Sequence, residues 1–534
     1  MDSSGCEQRK STCQSFPSKA DANRRQEKAG EGGVVPLSTT SPVPTSNAVP
    51  GTLDASSRRI KLIAKWRFSF RNHSLAIRFT CKWPRTDRLE FYKIILRIFT
   101  MPPLKSWLKI DPKSHFSIHN IPFGIISTTN AAQPRPAVAI GSYALDLHAF
   151  AHGNGFSKLS IVQPHQAVFS QPTLNAFASL GRPIHRVVRE YLQSVLLENG
   201  PFPDVLQQDD HLQKAALVPL EQCKLHLPMQ IGDYTDFYAG LNHAYNVGVL
   251  FRGPQNALQP NYKHLPVGYH GRASSVVVSN TPIRRPTGQI LVNPAAEKKE
   301  IILSPCKKLD IELELGCFVC KPSALGEPVS IEDAPEHLFG VVLMNDWSAR
   351  DIQAWEYVPL GPFNSKNFGT TISPWVVLID ALEPFATSGL ENDTELLPYL
   401  DEKGRKSHYA IDLTFSLTTP SGKTTTLTRT SATQLLFSFP QMLAHHTIGG
   451  CPFNVGDLLG SGTISGKTRA EKGALLEQTE NGKTEVELEG GEKRKFLEDG
   501  DVVTLSGVCG KEDGALVGFG DCVGRIEPAL QLEF

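Results

Sequence analysis

The sequence predicts a mixed α+β fold in which β-structure dominates. The first observation is a series of short β-type runs between residues 228 and 534, separated by Gly and Pro turn signals. The second is the stretch Leu309–Leu315, in which apolar and acidic residues alternate without a break, as on a half-buried strand. The third is that helical patterns are few in this part of the chain. Together they predict a large mixed β-sandwich or barrel, preceded by a smaller α+β region.

The first hundred residues differ in composition from the rest of the 534-residue chain. They carry 18 Lys and Arg against 8 Asp and Glu, a balance of +10, whereas residues 101–534 carry 36 against 46, a balance of −10. Residues 1–60 are rich in Ser, Thr, Pro and Gly, and such a composition buries too little apolar surface to offset the entropy of ordering. We therefore expect residues 1–105 to be a disordered or non-native N-terminal extension.

Three other interpretations of this basic segment remain open. Its Arg and Ser content is typical of a mitochondrial transit peptide, but acidic residues such as Asp2, Glu7 and Asp21 argue against one. Its charge is also compatible with a nucleic-acid-binding arm, although we expect no nucleic-acid partner for the chain as a whole. The third is that translation starts at Met101.

No segment of the sequence is long and apolar enough to predict a membrane span. The best candidate, Phe91–Phe99, is short and contains Lys93 and Arg97. No signal segment is found, and the ten cysteines include no paired CxxC sets of zinc spacing. Cys317 and Cys320 are interpreted as packing cysteines, because positions three apart on a strand point to opposite faces. These features predict a reducing compartment, a cytoplasmic location and no membrane partner.

Residues 112–227 are predicted to form the small α+β domain. A β-type run from Pro136 to Leu147 is interrupted by the turn signal Gly141-Ser142. Helical patterns follow at Thr173–Leu180 and His185–Asn199.

Residues 228–534 are predicted to form the main domain. Helices are expected at Ser348–Glu356 and at Ala432–His446, where Pro440 should kink or break the helix. The β-type runs are Ser275–Ser279, Lys308–Val319, Phe339–Met344, Trp375–Ile379, Tyr409–Thr418, Thr424–Thr428, Val455–Leu459 and Asp501–Val508.

The alternating stretch Leu309–Leu315 admits two interpretations. On a strand, Asp310, Glu312 and Glu314 share one face, with successive carboxylates about 6.6 Å apart, twice the rise per residue. Like charges this close repel each other unless water or a cation offsets them. The segment is therefore either a half-buried strand with its acidic face in solvent, or part of a site for a hard cation such as Ca²⁺ or Mg²⁺.

Another polar concentration lies in Ile231–Tyr238 and the residues that follow it. Together with Asn242 and His243, this segment brings acids, phenols and an imidazole into what we expect to be one loop. Such a loop could serve a site. The alternative is a capped turn that carries a surface histidine.

The run Gly340–Gln353 predicts a buried strand that ends at Asp346, followed by a helix. Asp346, Arg350 and Gln353 are spaced to share one face of that helix, as site residues would. The alternative is that Asp346 only caps the helix. The Gly- and Pro-rich segment Tyr357–Thr371 then predicts a long loop that lines a cleft.

The Gly-rich turn Gly460–Gly466 carries several hydroxyl groups. It matches neither a Walker phosphate loop nor a G-x-S-x-G nucleophile elbow, so we reject phosphate binding and serine hydrolysis. Glu477 follows Thr463 by 14 residues. The adjacent His445 and His446 would diverge on a helix, and we expect both to be structural.

Through these segments the chain closely resembles the fumarylacetoacetate hydrolase family, over roughly residues 112–534. The matching stretches are Ile231–Tyr238 with His243, Leu265–Val278, Leu309–Leu315, Met344–Gln353, Trp355–Phe363, Phe368–Val377, Ser461–Gly466 and Lys495-Phe496. The resemblance implies an SH3-like N-terminal domain, a mixed β-sandwich roll as catalytic domain, and a homodimer. It implies hydrolysis of the carbon–carbon bond of 4-fumarylacetoacetate to fumarate and acetoacetate, the last step of tyrosine and phenylalanine catabolism.

The resemblance also implies a role for individual residues. The implied Ca²⁺ ligands are Asp236, Glu312, Glu314 and Asp346, and a neighbouring Mg²⁺ or structural-cation site comprises Asp346, Lys366 and Thr370. The implied general base is His243, its orienting partner is Glu477, and Arg350 and Lys366 stabilise developing charge. The implied substrate contacts are Tyr238, Arg252, Tyr269, Gln353, Tyr357 and Thr463. Asp310 receives no role.

The implied reaction is difficult because a carbon atom leaves with an electron pair. A dication that chelates the diketone oxygens would hold this carbanion as an enolate. Hydratases, decarboxylases and acylpyruvate hydrolases of the same superfamily, which share the acidic metal site, are alternatives. A metal-binding relative without catalysis is another, although the joint presence of His243, Glu477 and Lys366 argues against it.

Overall fold

The computed structural model describes residues 70–71, 74–75, 104–293, 296–512 and 515–533. Within the first hundred residues it describes one short antiparallel pair, β1 (Phe70–Arg71) and β2 (Ser74–Leu75). The expectations for residues 1–105, including the apolar run Phe91–Phe99, otherwise lie outside the described residues.

The small N-terminal region is built on a five-stranded antiparallel sheet with the order β6-β5-β4-β3-β7. Its strands are β3 (Phe123–Thr128), β4 (Ala131–Ile140), β5 (Tyr143–Asp146), β6 (Leu217–Pro219) and β7 (Lys224–His226). Its helices are α1 (Leu147–His152), α2 (Asn175–Ala178), α3 (Arg182–Leu196) and α4 (Asp210–Ala216). Gly141, with φ of 57°, makes the predicted turn between β4 and β5. The predicted strands and both predicted helices are confirmed.

The rest of the described chain is rich in short strands. In chain order they are β8 (Tyr234–Phe237), β9 (Gly268–His270), β10 (Val276–Val278), β11 (Ile283–Arg284), β12 (Thr287–Leu291), β13 (Ile301–Pro305), β14 (Leu309–Asp310), β15 (Leu313–Val319), β16 (Leu338–Asp346), β17 (Ser348–Ala349), β18 (Thr370–Ile372), β19 (Val377–Leu378), β20 (Ala386–Thr387), β21 (His408–Tyr409), β22 (Asp412–Thr418), β23 (Thr424–Ser431), β24 (Leu458–Gly460), β25 (Val486–Glu487), β26 (Lys493–Arg494), β27 (Val502–Cys509), β28 (Val517–Gly518) and β29 (Cys522–Glu527). The mixed α+β, strand-rich fold class is thereby confirmed.

Helices in this part of the chain are short and fewer than the strands. They are α5 (Leu241–Arg252), α6 (Arg350–Glu356), α7 (Ile379–Leu382), α8 (Phe439–Thr447) and α9 (Leu475–Gln478). Across both regions, the segments of 3-10 helix are Ser160–Ser170, Leu220–Gln222, Pro254–Asn256, Ala273–Ser275, Ala334–His337, Glu383–Phe385, Pro398–Leu400, Ala432–Gln434 and Arg469–Glu471. None of the described helices combines the length and the apolar character that crossing a bilayer requires.

Two larger sheets organise the main region. One runs β10-β18-β16-β15-β24-β8-β9, with β19 also paired to β16, and the other runs β11-β29-β27-β22-β23, with β28 paired to β27. All nine residues of β16 are buried, and it pairs antiparallel with β15 on one side and with β18 and β19 on the other. The core continues into the N-terminal region, where Phe123 and Val376 exchange backbone hydrogen bonds of 2.9 and 2.7 Å.

The structure corrects the prediction for the acidic stretch. It is two strands rather than one, because β14 pairs with β17 whereas β15 pairs with β16 and β24. Asp310, Glu312 and Glu314 are all buried, at 0, 6 and 0% exposure. The interpretation with an acidic face in solvent is therefore wrong.

The predicted helix at Ala432–His446 is present in two pieces. A 3-10 turn at Ala432–Gln434 is followed by α8, in which Pro440 occupies the first turn. Proline suits that position because the N–H it lacks would have no partner inside the helix. Ser438 and Gln441 form a capping box at the same end. The break is therefore confirmed, and it lies before the proline.

Candidate metal centre and catalytic cavity

A cavity of about 470 Å³ opens beside the central strands of the larger sheet. Its wall comes from β8, β9, α5, α6, the loop after α6 and the Gly-rich turn after β24. The residues implied as substrate contacts all line it: Tyr238, Arg252, Tyr269, Gln353, Tyr357 and Thr463. The loop after α6 contributes Leu360, Gly361 and Lys366, so the predicted cleft-lining loop is confirmed.

Three carboxylates meet at one end of the sheet. Asp346 ends β16, Glu314 is the second residue of β15, and Asp236 is the third residue of β8. One oxygen from each lies within 4.8 Å of the other two, and all three side chains are buried. Since β16, β15, β24 and β8 are successive strands, the triad spans four neighbouring strands of one sheet.

Gly460 on β24 allows this convergence. It lies between β15 and β8, where it pairs with Gly316 on one side and Asp236 on the other. A Cβ atom at Gly460 would lie 2.5 Å from Asp236 Oδ1, inside contact distance. A larger residue here would therefore require the side chain of Asp236 or of Met344 to move. Two residues on, Gly462 donates its N–H to Glu314 Oε2 at 3.0 Å and so holds the second carboxylate.

Two oxygens of this triad lack a hydrogen-bond donor among the described residues. They are Asp236 Oδ1 and Glu314 Oε1. Burial, together with the neighbouring carboxylates, raises the pKa of both side chains well above the usual range. Buried oxygens without donors, at the mutual spacing of a metal's ligands, fit a hard divalent cation. We call Asp236, Glu314 and Asp346 the open triad.

Glu312, the fourth implied ligand, has a different environment. Its side chain pairs with Lys366, and its Oε1 lies 2.8 Å from Arg350 Nη2. Burial acts to raise its pKa, but these two cations outweigh that effect and hold the pKa well below the usual range. His243 Nε2 lies 3.5 Å from the same Oε1. Glu312 therefore faces the cations of the cavity, outside the open triad.

Lys366 joins the two groups of carboxylates. Its ammonium contacts both Glu312 and Asp346, and it faces the cavity. Asp346 also accepts hydrogen bonds from Tyr269, at 3.2 Å, and from Thr370, at 3.3 Å. The residues implied for the second cation site, Asp346, Lys366 and Thr370, are thus adjacent.

His243 and Glu477 form a buried pair at the cavity wall. His243 Nδ1 lies 2.6 Å from Glu477 Oε2, and His243 itself lines the cavity. Asn246, one helical turn after His243 on α5, donates to Glu477 Oε1 at 2.8 Å. Ser465 donates to Glu477 Oε2 at 2.7 Å. The carboxylate is therefore fixed by three partners and can in turn fix the imidazole.

The charge around His243 favours its imidazolium form. Burial acts to lower its pKa, but Glu477 and Glu312 raise the pKa to about 9. The expectation that Asp236 and His243 share one loop is wrong, because Asp236 belongs to β8 and His243 to α5. The alternative of a surface histidine is wrong too, since the side chain is 2% exposed.

Arg350 and Gln353 lie on α6 as predicted, but Asp346 does not share their helix face. Asp346 belongs to β16, and the residue that precedes α6 is Ala349, so the capping interpretation is also wrong. Arg350 donates to Gln353 Oε1 at 3.2 Å, which orients both side chains at the cavity wall. His445 and His446 are not among the residues that line the cavity, and His446 bonds to Thr235.

Sequence reasoning missed three residues that support the site. Asn246 and Ser465 hold Glu477, and Asp310 contacts Arg350. Of these three, only Asn246 could have been found from the sequence, because it follows His243 by three positions. That spacing is informative only if the segment is known to be a helix. Asp310 was visible as a carboxylate of the acidic stretch, but its partners are distant in sequence.

Two protein-family models match the chain. Residues 119–228 match the family described as "Fumarylacetoacetase N-terminal", and residues 234–527 match "Fumarylacetoacetate (FAA) hydrolase C-terminal".

Relatives match over most of the chain. A fumarylacetoacetase of Aspergillus fumigatus is 66% identical over 433 residues, which is 81% of this chain and 100% of that protein. The Emericella nidulans fumarylacetoacetase is 64% identical, over 80% of this chain and 100% of that one. The human fumarylacetoacetase is 46% identical, over 80% and 99%. The chain therefore belongs to the fumarylacetoacetase family.

Proposed function

We propose that this chain hydrolyses the carbon–carbon bond of 4-fumarylacetoacetate and releases fumarate and acetoacetate. The observation that carries the proposal is the joint presence, in one cavity, of an open carboxylate triad and a buried His243–Glu477 pair. The curated relatives of this chain are named fumarylacetoacetases, and they match it over nearly their full length. Hydrolysis of this substrate would place the chain at the last step of tyrosine and phenylalanine breakdown.

The open triad is proposed to hold one divalent cation, Ca²⁺, with Glu312 as the fourth ligand. A second cation, Mg²⁺, is proposed for the neighbouring group of Asp346, Lys366 and Thr370. When bound, a dication here would polarise the diketone oxygens, stabilise the leaving enolate and oppose protonation of nearby bases. The donors of the open triad and of Glu312 are all carboxylate oxygens, which suit a hard cation.

His243 is proposed as the general base. It would take a proton from the water that attacks the carbonyl carbon next to the bond that breaks. Glu477 bonds to Nδ1, which leaves Nε2 as the nitrogen that can accept this proton. The attacking oxygen then remains on the fumaryl carbon, and the proton balances the reaction when it reaches the departing carbon.

Cationic and phenolic groups are proposed to hold the dianionic substrate. Arg252, Arg350 and Lys366 all line the cavity, and each can pair with a substrate carboxylate or a developing oxyanion. Burial and nearby carboxylates raise the pKa of Tyr238 and Tyr269, so both phenols stay protonated and can donate hydrogen bonds. These groups would orient the diketone over the triad.

Fumarate release from 4-fumarylacetoacetate tests this function. The purified chain should release one fumarate per substrate consumed, and a chelator should abolish the release until a divalent cation is restored. A chain loaded with metal that leaves the substrate intact would contradict the proposal. Conversion of the substrate without fumarate would point to a hydratase or decarboxylase instead.

We further propose the chain's organisation and setting. Residues 112–227 would form an SH3-like domain and residues 228–534 the catalytic β-sandwich roll, which is supported by the two separate family matches. Residues 1–105 would be an extension that the hydrolysis does not use. The active form would be a homodimer in the cytoplasm, and free cysteines at the seven described positions are compatible with a reducing compartment.

A further inference from the structure

Asp310 is a fully buried carboxylate that does not line the cavity and is held by four donors. Its Oδ1 accepts from the backbone N–H groups of Ile311 and Leu475, both at 2.8 Å. Its Oδ2 accepts from the backbone N–H of Leu476 and from Arg350 Nε, both at 2.9 Å. The side chain is 0% exposed, so water does not replace any of these partners.

These partners belong to two separate elements of the proposed site. Leu475 and Leu476 open α9, the four-residue helix that carries Glu477. Arg350 opens α6 and reaches the cavity wall. Asp310 therefore connects α9, which carries Glu477, to Arg350 at the cavity wall. Leu475 follows Asp310 by 165 positions in the sequence, and Arg350 follows it by 40.

We propose that Asp310 is a positioning residue of the hydrolysis, acting through Arg350 and Glu477. The proposal rests on the function proposed above. Without its bond to Asp310, the Arg350 guanidinium would still have Glu312 and Gln353 as partners, but its Nε would lose the contact that fixes the plane of the group. Without its two bonds to α9, the backbone of Glu477 would lose its anchor on β14.

Only a carboxylate satisfies this position. All four partners of Asp310 are N–H donors, and an ionised aspartate accepts on both oxygens. An asparagine of the same shape would place its NH₂ group against at least one of them. That donor would be left buried and unpaired, or the backbone or guanidinium would move to avoid it. A displacement near 1 Å in a catalytic group costs about 10²-fold in rate.

Asp146 in the N-terminal region provides a matched control. It is buried, its Oδ2 pairs with Arg135 Nε at 2.5 Å, and its Oδ1 accepts from Ala149 N–H at the start of α1. The chemistry thus repeats that of Asp310, with an arginine on one oxygen and a helix N–H on the other. None of these three residues lines the cavity. Asp146→Asn should therefore lose stability without changing catalysis.

The experiment measures kcat, KM and the melting temperature of Asp310→Asn and Asp146→Asn in the full chain with divalent cation present. We expect both variants to have a lower melting temperature than wild type. We expect kcat of folded Asp310→Asn to fall by about 10²-fold and its KM to rise as Arg350 is displaced, whereas kcat and KM of Asp146→Asn stay at the wild-type values. A wild-type kcat for folded Asp310→Asn, or an equal loss in both variants, would overturn the proposal.

Double variants show whether Asp310 acts through its two partners. In the Glu477→Gln and Arg350→Lys backgrounds, Asp310→Asn should lower kcat by clearly less than it does alone. Fully additive losses in both backgrounds would mean that Asp310 acts elsewhere.

Should Asp310→Asn not fold, Asp310→Glu replaces it, because it keeps the buried charge. Its extra methylene shifts the carboxylate, so kcat should again fall, and an unchanged kcat would overturn the proposal. A wild-type chain without hydrolase activity would instead contradict the proposed function, which separates the two failures.

Discussion

The buried carboxylates around the cavity fall into two groups with opposite electrostatics. Glu312 is closed off by Lys366 and Arg350, and these cations hold its pKa below the usual range. Asp236 and Glu314 each keep an oxygen without a donor, and burial raises their pKa. Glu312 and Glu314 are nevertheless only two positions apart in the sequence.

The difference shows that burial alone does not determine whether a carboxylate at this cavity is ionised; the charges beside it do. Where the chain supplies its own cation, as at Glu312, the carboxylate is ionised before any metal ion binds. Where the chain supplies none, like charges remain in contact, and this arrangement is stable only with protons or with an added cation. The following predictions test this division, from the largest expected effect to the smallest.

Loss of the imidazole should have the largest effect on catalysis. His243→Asn should lower kcat by about 10²–10⁴-fold, the usual contribution of a general base. Metal content should stay near wild type, because His243 contacts Glu312 and Glu477 and lies outside the open triad. Glu477→Gln should cost less, since the imidazole remains and only its orientation loosens. Loss of bound metal from His243→Asn would instead identify this residue as a ligand.

Glu312→Gln should destabilise the chain with or without metal. It leaves Lys366 and Arg350 buried with one carboxylate fewer, and breaking a buried ion pair in this way costs about 3–5 kcal/mol. Denaturant unfolding of metal-stripped protein measures the effect. Glu332→Gln, which breaks an exposed pair with Lys403, should leave stability nearly unchanged. Equal stability of Glu312→Gln and wild type would contradict the closed environment described for Glu312.

Glu314→Gln should stabilise the metal-stripped protein, whereas Glu312→Gln destabilises it. It keeps the oxygen that accepts from Gly462 and replaces the unpaired oxygen by a donor that can reach Asp236. Relief of the repulsion should raise the free energy of unfolding. With Ca²⁺ present, Glu314→Gln should be less stable than wild type, because the variant has lost a ligand for the ion. A variant that is less stable than wild type under both conditions would remove the distinction between the two groups.

Removal of the first hundred residues should have the smallest effect. The curated relatives align over 80–81% of this chain and nearly all of their own length, and the described site draws no residue from positions before 104. A chain that starts at Met101 should therefore keep kcat and its metal content. Loss of folded yield on this truncation would show that the extension contributes to folding.

Sequence reasoning succeeded where the signal was local. The turn at Gly141 and the strand that ends at Asp346 follow from residue patterns over a few positions. The resemblance to the family then identified the candidate site residues, and in the structure these residues lie together around one cavity. Their roles remain proposals that the experiments above address.

The failures have two physical causes: partners that are distant in sequence and weak local helix propensity. The acidic stretch looked solvent-exposed because Arg350 and Lys366, which allow Glu312 to be buried, follow it by 38 and 54 positions. Helix α5 was missed because it contains Gly248, and glycine weakens helix propensity by about 1 kcal/mol. Gly248 is nevertheless required there, since a Cβ would lie 1.8 Å from the carbonyl oxygen of Ala257.

The central claim is that the open triad is a cation site. Calorimetric titration of Ca²⁺ into metal-stripped wild type, Glu314→Gln and Asp346→Ala tests it most directly. The account predicts one tightly bound ion per chain for wild type and loss of tight binding in both variants, each of which removes one hard ligand from the triad. Equally tight binding in the variants, or no binding by folded wild type, would contradict it.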